Sequence, residues 1–110
     1  MKRYILTIIL AAAAAISLKA EIRLPDIISD NMVLQQNSSA KIWGWAEHGS
    51  TVTVTVSWNR SKYTTTADEH GKWIVSVNTP PATRTPQSIS IREDKGKPTS
   101  IENVLIGEVW

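Results

Sequence analysis

Histidine, serine, carboxylate and tryptophan side chains are the groups in this sequence that could do chemistry. His48 and His70 each stand in a turn-like stretch beside a glycine, and no residues at metal-ligand spacing accompany them. Both read as solvent-exposed turn residues. Serine is plentiful, yet no Gly-x-Ser-x-Gly elbow presents one as a nucleophile at a strand-to-helix turn. A triad is not excluded by sequence distance, since its members are brought together by the fold. Glu47, Asp68, Glu69, Glu93 and Asp94 invite a glycosidase reading of two carboxylates on one cleft. All five fall at turns or strand ends, where carboxylates are common because turns are solvated. With no cysteine there is no thiol catalysis and no Cys-ligated zinc, and the redox compartment stays open. No catalytic residue and no metal ligand is assigned on these grounds.

The tryptophans make a stronger case. Trp43, Trp45, Trp58 and Trp73 are dense for a small domain with no Phe. Exposed indoles stack on sugar rings, so Trp43, Trp45 and Trp73 are candidates for the platform of an independent carbohydrate-binding module. Buried indoles would instead fill the core in place of Phe. Trp43 and Trp45, two apart, share one side of a strand. Trp58 continues the side of Val52, Val54 and Val56, which favours the core for it.

Those side chains need elements to hold them, and the elements read as strands. Residues 50–58 alternate valine with threonine and end in serine and tryptophan, a strict period of two with β-branched residues on both faces. Residues 41–46 form a short aromatic-rich strand that stops at a turn signal, 47–50. Residues 61–67 run into Asp68-Glu69-His70-Gly71 and then 72–77, the pattern of a β-hairpin with Gly71 at the reversal. Residues 87–92 alternate again, Ile89 and Ile91 inward. Pro80, Pro81 and Pro86 make 78–86 a loop rather than part of a central ladder. The last strand is expected over 99–110, with Ile101, Val104, Leu105, Ile106, Val109 and Trp110 forming an exposed apolar patch. Short strands at regular spacing, without a persuasive amphipathic helix after Ala20, predict an all-β antiparallel sandwich of the jelly-roll or immunoglobulin-like kind.

At the start of the chain, Lys2 and Arg3 precede an apolar run over 4–16, followed by small residues suited to cleavage after Ser17 or Ala20. A helix of this length reaches only about 20 Å, short of the ~30 Å hydrocarbon core. Residues 1–20 therefore read as a secretory signal peptide and 21–110 as one exported domain, periplasmic or extracellular. The chain carries 12 basic and 10 acidic residues, net +2. Cleavage after Ala20 removes Lys2, Arg3 and Lys19 and leaves a net charge of −1. No basic stripe remains for a nucleic-acid partner, and no membrane contact is expected after cleavage. A composition 42% hydrophobic and 20% charged excludes a disordered tail.

Taken in order, the segments form a series: Leu24-Pro25, residues 29–35, Ile42-Trp43-Gly44-Trp45-Ala46, Gly49 with Val52 and Val54, Thr66-Ala67-Asp68, Gly71-Lys72-Trp73, and Asn103 through Gly107-Glu108-Val109-Trp110. This resembles the amino-terminal region of the sialate O-acetylesterases, exported bacterial members of the SGNH/GDSL hydrolase superfamily, across essentially all of 21–110. In that family the Gly-Glu-Val-Trp stretch leads into a Ser-Gly-Gln-Ser-Asn-Met block that carries the nucleophile. The resemblance therefore implies an accessory β domain whose catalytic serine is expected just beyond Trp110, with the family's Asp and His further on. It also implies an SGNH catalytic domain as partner and hydrolysis of acetyl esters on sialic acids or related sugars, with no metal or cofactor. The fragment is expected to be inactive alone. Two departures concern loop shape: residues 82–86 stand where the family often has Gly-Gly-Pro, and Gln36 where it often has Arg.

Overall fold

The computed structural model describes residues 22–94 and 96–109; the signal segment expected at 1–20 lies outside them. The described residues form seven strands: β1 (Val33–Gln35), β2 (Ser39–Trp45), β3 (Thr51–Val56), β4 (Lys62–Thr66), β5 (Lys72–Asn78), β6 (Thr83–Glu93) and β7 (Thr99–Gly107). They build a five-stranded sheet in the order β1-β7-β6-β3-β4 and a two-stranded sheet β2-β5. The class is all-β, as the alternation predicts, and the curled sheets give it the form of a half-barrel.

The Val/Thr alternation of β3 does what its period requires. Val52, Val54 and Val56 are fully buried, while the threonines between them lie on the opposite face. Val54 sits between Tyr63 of β4 and Ile91 of β6 in the ladder. Ile89 and Ile91 of β6 and Ile101, Val104 and Ile106 of β7 extend the same buried layer. Ile42, Trp73, Val75 and Val77 of the small sheet complete one continuous core with them. Each such aliphatic side chain contributes about 1.5–3 kcal/mol by leaving water.

Several local expectations change. β4 and β5 do not pair as a hairpin. β4 pairs with β3 and β5 with β2, so the turn at 68–71 carries the chain from one sheet to the other. Gly71 is the reason: at φ +79° its carbonyl accepts from Ala46 N at 2.7 Å, and a Cβ there would lie 2.5 Å from the Ala46 carbonyl oxygen. The chain is thereby seated against the end of β2. The hairpin is instead β3–β4, closed by Val56 N donating to Ser61 O (3.1 Å). Trp58 consequently stands in that turn rather than at a strand end, half-buried, its indole N–H donating to Asn78 O at 2.9 Å.

The proline segment is also partly strand. β6 begins at Thr83 and includes Pro86, which lies in a stretch of register shifts against β7 and ahead of Ile89, where pairing with β3 starts. Its missing N–H costs no central-ladder bond there. β1 pairs with β7 in parallel, Val33 opposite Leu105, the one parallel pair among the described strands.

The apolar set expected to be exposed near the end of the chain divides. Ile101, Val104 and Ile106 are buried in this domain's own core, whereas Leu105 is 36% and Val109 55% exposed; Trp110 is outside the described residues. The three-residue step from Ile101 to Val104 breaks the period of two. Asn103, at φ 55°, absorbs the extra residue, a conformation Asn tolerates better than most side chains.

Candidate functional site

Of the five candidate carboxylates, Asp68, Glu93 and Asp94 are occupied in turns, while Glu47 and Glu69 are exposed. Glu93 accepts from Glu47 N (2.6 Å) and from the Ser50 hydroxyl (2.9 Å), which ties the β2–β3 loop to the end of β6. Asp94 accepts from Thr51 N at 2.9 Å. Asp68 accepts from His70 N at 2.8 Å and Lys72 N at 2.9 Å; the Lys72 and then the His70 bond hold its pKa below the ordinary carboxylate value. Ser50 is the buried serine among the described residues, and its Oγ lies 2.7 Å from Glu47 O, so its one proton is shared between that carbonyl and Glu93, with no histidine in the network. His48 and His70 are both exposed, and the His70 imidazole lies 3.5 Å from the Glu69 carboxylate. Among the described residues no three His, Asp or Glu side chains gather as a metal site.

The tryptophan candidates separate by strand face. Trp73 is 1% exposed, packed in the core opposite Gly44, so it offers no face to a sugar and leaves the candidate set. Its position follows from the β5 alternation, which turns Trp73, Val75 and Val77 inward together. Trp43 and Trp45 share the other face of β2 and are half-buried. Residue 23 bridges β2 there, Arg23 N donating to Trp45 O and Trp45 N to Arg23 O, both at 2.8 Å. Gly44 permits this approach, because a Cβ at 44 would run into the Arg23 carbonyl. Arg23, Leu24 and Trp45 line an open depression of about 250 Å³. A second, polar hollow of about 130 Å³ lies between Thr53, Thr55, Lys62, Ser90, Arg92 and Pro98 on the other side of the molecule's large sheet from its core. Neither hollow is lined by a histidine or a carboxylate.

One ordered polar cluster was not singled out by the residue-level reading. Glu108 accepts from the Gln35 side-chain amide at 3.0 Å and from that of Gln36. Gln35 Oε1 in turn accepts from Val109 N (2.8 Å), and Gln36 Oε1 from Ala82 N (2.9 Å). These bonds, Gln35 first and Gln36 second, hold the Glu108 carboxyl below its ordinary pKa. The signal lies in two separate stretches, Val33-Leu34-Gln35-Gln36 and Gly107-Glu108-Val109. Nothing local to either announces the other, and the parallel β1–β7 pairing brings them together.

No family model matches this chain, and no curated protein matches it. Among solved structures the chain is similar to a carbohydrate acetylesterase from Xanthomonas citri, with 28% sequence identity and a TM-score of 0.73. The match covers 82% of this chain and 20% of that one, so the chain spans about one-fifth of the length of the enzyme it matches. The chain thus resembles one part of a carbohydrate acetylesterase.

Proposed function

We propose that this chain is the accessory β domain of an exported carbohydrate acetylesterase of the sialate O-acetylesterase kind, and that the ester-cleaving residues belong to an SGNH-type domain outside residues 22–109. The observation that carries the reading is the likeness in both sequence and fold to one-fifth of an acetylesterase. The turn-bound state of Ser50, Asp68, Glu93 and Asp94 supports it, since these groups hold loops instead of facing a common cleft. In the intact enzyme a serine activated by histidine attacks the acetyl carbonyl, and fixed N–H donors stabilise the oxyanion. The substrates are acetyl esters of sialic acids or related sugars. The test is a graft: residues 22–109 replace the matching fifth of the Xanthomonas citri enzyme. Retained acetyl release from acetylated sugars is the expected result, and a folded but inactive graft would count against the reading.

A second reading rests on Trp43 and Trp45, which stay partly exposed beside the Arg23 depression. It makes the domain a sugar-binding module. Saturable quenching of tryptophan fluorescence by sialic acid or xylan oligosaccharides, abolished by Trp45→Ala, would favour it; the accessory-domain reading expects no saturable quenching.

A further inference from the structure

The outer face of the large sheet carries a polar hollow, and strand alternation puts its side chains there. Val52, Val54, Ile89 and Ile91 turn into the core, so Thr53, Thr55, Ser90 and Arg92 turn away from it. The register then sets them side by side. Thr53 pairs with Arg92, while Thr55 pairs with Ser90 on one flank and with Lys62 on the other. Ile91 lies opposite Thr99, which brings Pro98 alongside Arg92. Together these residues enclose about 130 Å³.

Two cations therefore flank a floor of three hydroxyls. Lys62 and Arg92 stand on the strands to either side of β3, two strand spacings or about 10 Å apart across the sheet. No carboxylate lines the hollow. Among the described residues neither cation has a carboxylate in ion-pair contact, and the three hydroxyls bond to no other residue. The acidic groups on the adjoining segments are engaged elsewhere: Asp94 accepts from Thr51 N, and Glu102 from the Ser100 hydroxyl. The hollow thus presents positive charge and unspent donors with no counter-charge of its own.

The floor narrows the class of anion. The N–H groups of β3 are spent on its ladders with β4 and β6, so no nest of amides is offered to a phosphate. Two cations are too few to track a nucleic-acid backbone. A hydroxyl both donates and accepts, as the hydroxyls of a sugar do, and two cations suit one carboxylate. The hollow is smaller than the roughly 300–1,000 Å³ that encloses a drug-sized ligand, so it takes one unit of a chain that continues past it. We propose that Thr53, Thr55, Ser90, Lys62 and Arg92 form a subsite for a carboxylate-bearing sugar unit, its carboxylate between the two cations and its hydroxyls on the floor. The preference for an anion stands on these side chains alone. The choice of a sugar rests on the reading of the chain as part of a carbohydrate acetylesterase. This subsite belongs to a different sheet from Trp43 and Trp45.

The test follows the amide chemical shifts of the purified chain during titration with trigalacturonic acid, N-acetylneuraminic acid, xylotriose and sodium sulfate at fixed ionic strength. Saturable binding of an acidic sugar is expected, on the order of millimolar because both cations are exposed, with the shifts centred on residues 53–55, 62 and 90–92. Lys62→Gln plus Arg92→Gln is expected to weaken it by about tenfold or more, and Thr55→Val by about two- to tenfold. Both variants are expected to keep the parent urea midpoint, since the cations hold no partner and valine keeps the shape of threonine. Failure of both acidic sugars to bind, or binding that both variants leave unchanged, would overturn the subsite. Sulfate or xylotriose bound as tightly as the acidic sugars would overturn its assignment to a carboxylate-bearing sugar. None of these results bears on the accessory-domain reading, which acetyl release by the graft tests separately.

Discussion

Asp68 and Glu108 are exposed carboxylates whose bonds favour the ionised form: backbone N–H groups of Lys72 and His70 for one, the amides of Gln35 and Gln36 for the other. A carboxylate with a lowered folded-state pKa adds stability that is fully present above its unfolded value and disappears as pH falls through the folded one. The urea midpoint is therefore expected to fall on acidification from about pH 5 downward. Asp68→Asn and Glu108→Gln should each flatten that acid limb, and midpoints measured across the acid range check it. An unchanged slope in both variants would remove these groups from the account. Gly71 gives a sharper residue-scale prediction. Gly71→Ala meets both the strain of φ +79° and the Ala46 carbonyl oxygen 2.5 Å from its Cβ. It should cost about 2 kcal/mol or more in chemical denaturation. At Gly49, with φ +78° and open space around it, the same change meets the backbone strain alone and should cost less.

At the level of elements, the core is set by β3, β6 and β7 facing β2 and β5. Ile91, fully buried opposite Val54, should lose about 2–5 kcal/mol on substitution by alanine. Ile74→Ala, at a position 49% exposed, should stay within roughly 0.5 kcal/mol in the same urea series. How each strand reads in sequence follows from the same physics. The Val/Thr repeat of β3 was legible because period and burial coincide residue by residue. The turn at 68–71 was legible too, but its partner was not. Alternation says which side of a strand is buried and is silent on which strand lies beside it, so β4 and β5 look like a hairpin until Gly71 is seen against Ala46. β1 has three residues, and its neighbour β7 lies at the other end of the described chain. No local pattern could reveal that pairing, and with it went the Gln35–Glu108–Gln36 cluster. Trp73 was a stacking candidate by residue type, and its place in the Trp73-Val75-Val77 alternation was the signal that it belonged in the core.

For the whole molecule, the proposed division of labour makes these strands a scaffold and leaves ester cleavage to another part of an enzyme of which this chain resembles one-fifth. The Ser50 hydroxyl lies against the Glu93 carboxylate and the Glu47 carbonyl, with no imidazole beside it to take its proton. The most direct measurement is acetyl release by the purified chain alone from p-nitrophenyl acetate and O-acetylated sialic acid. The predicted result is no saturable turnover above buffer, with any background unchanged by replacing serines one at a time. Saturable hydrolysis that a single change such as Ser50→Ala abolishes would contradict the account at its centre.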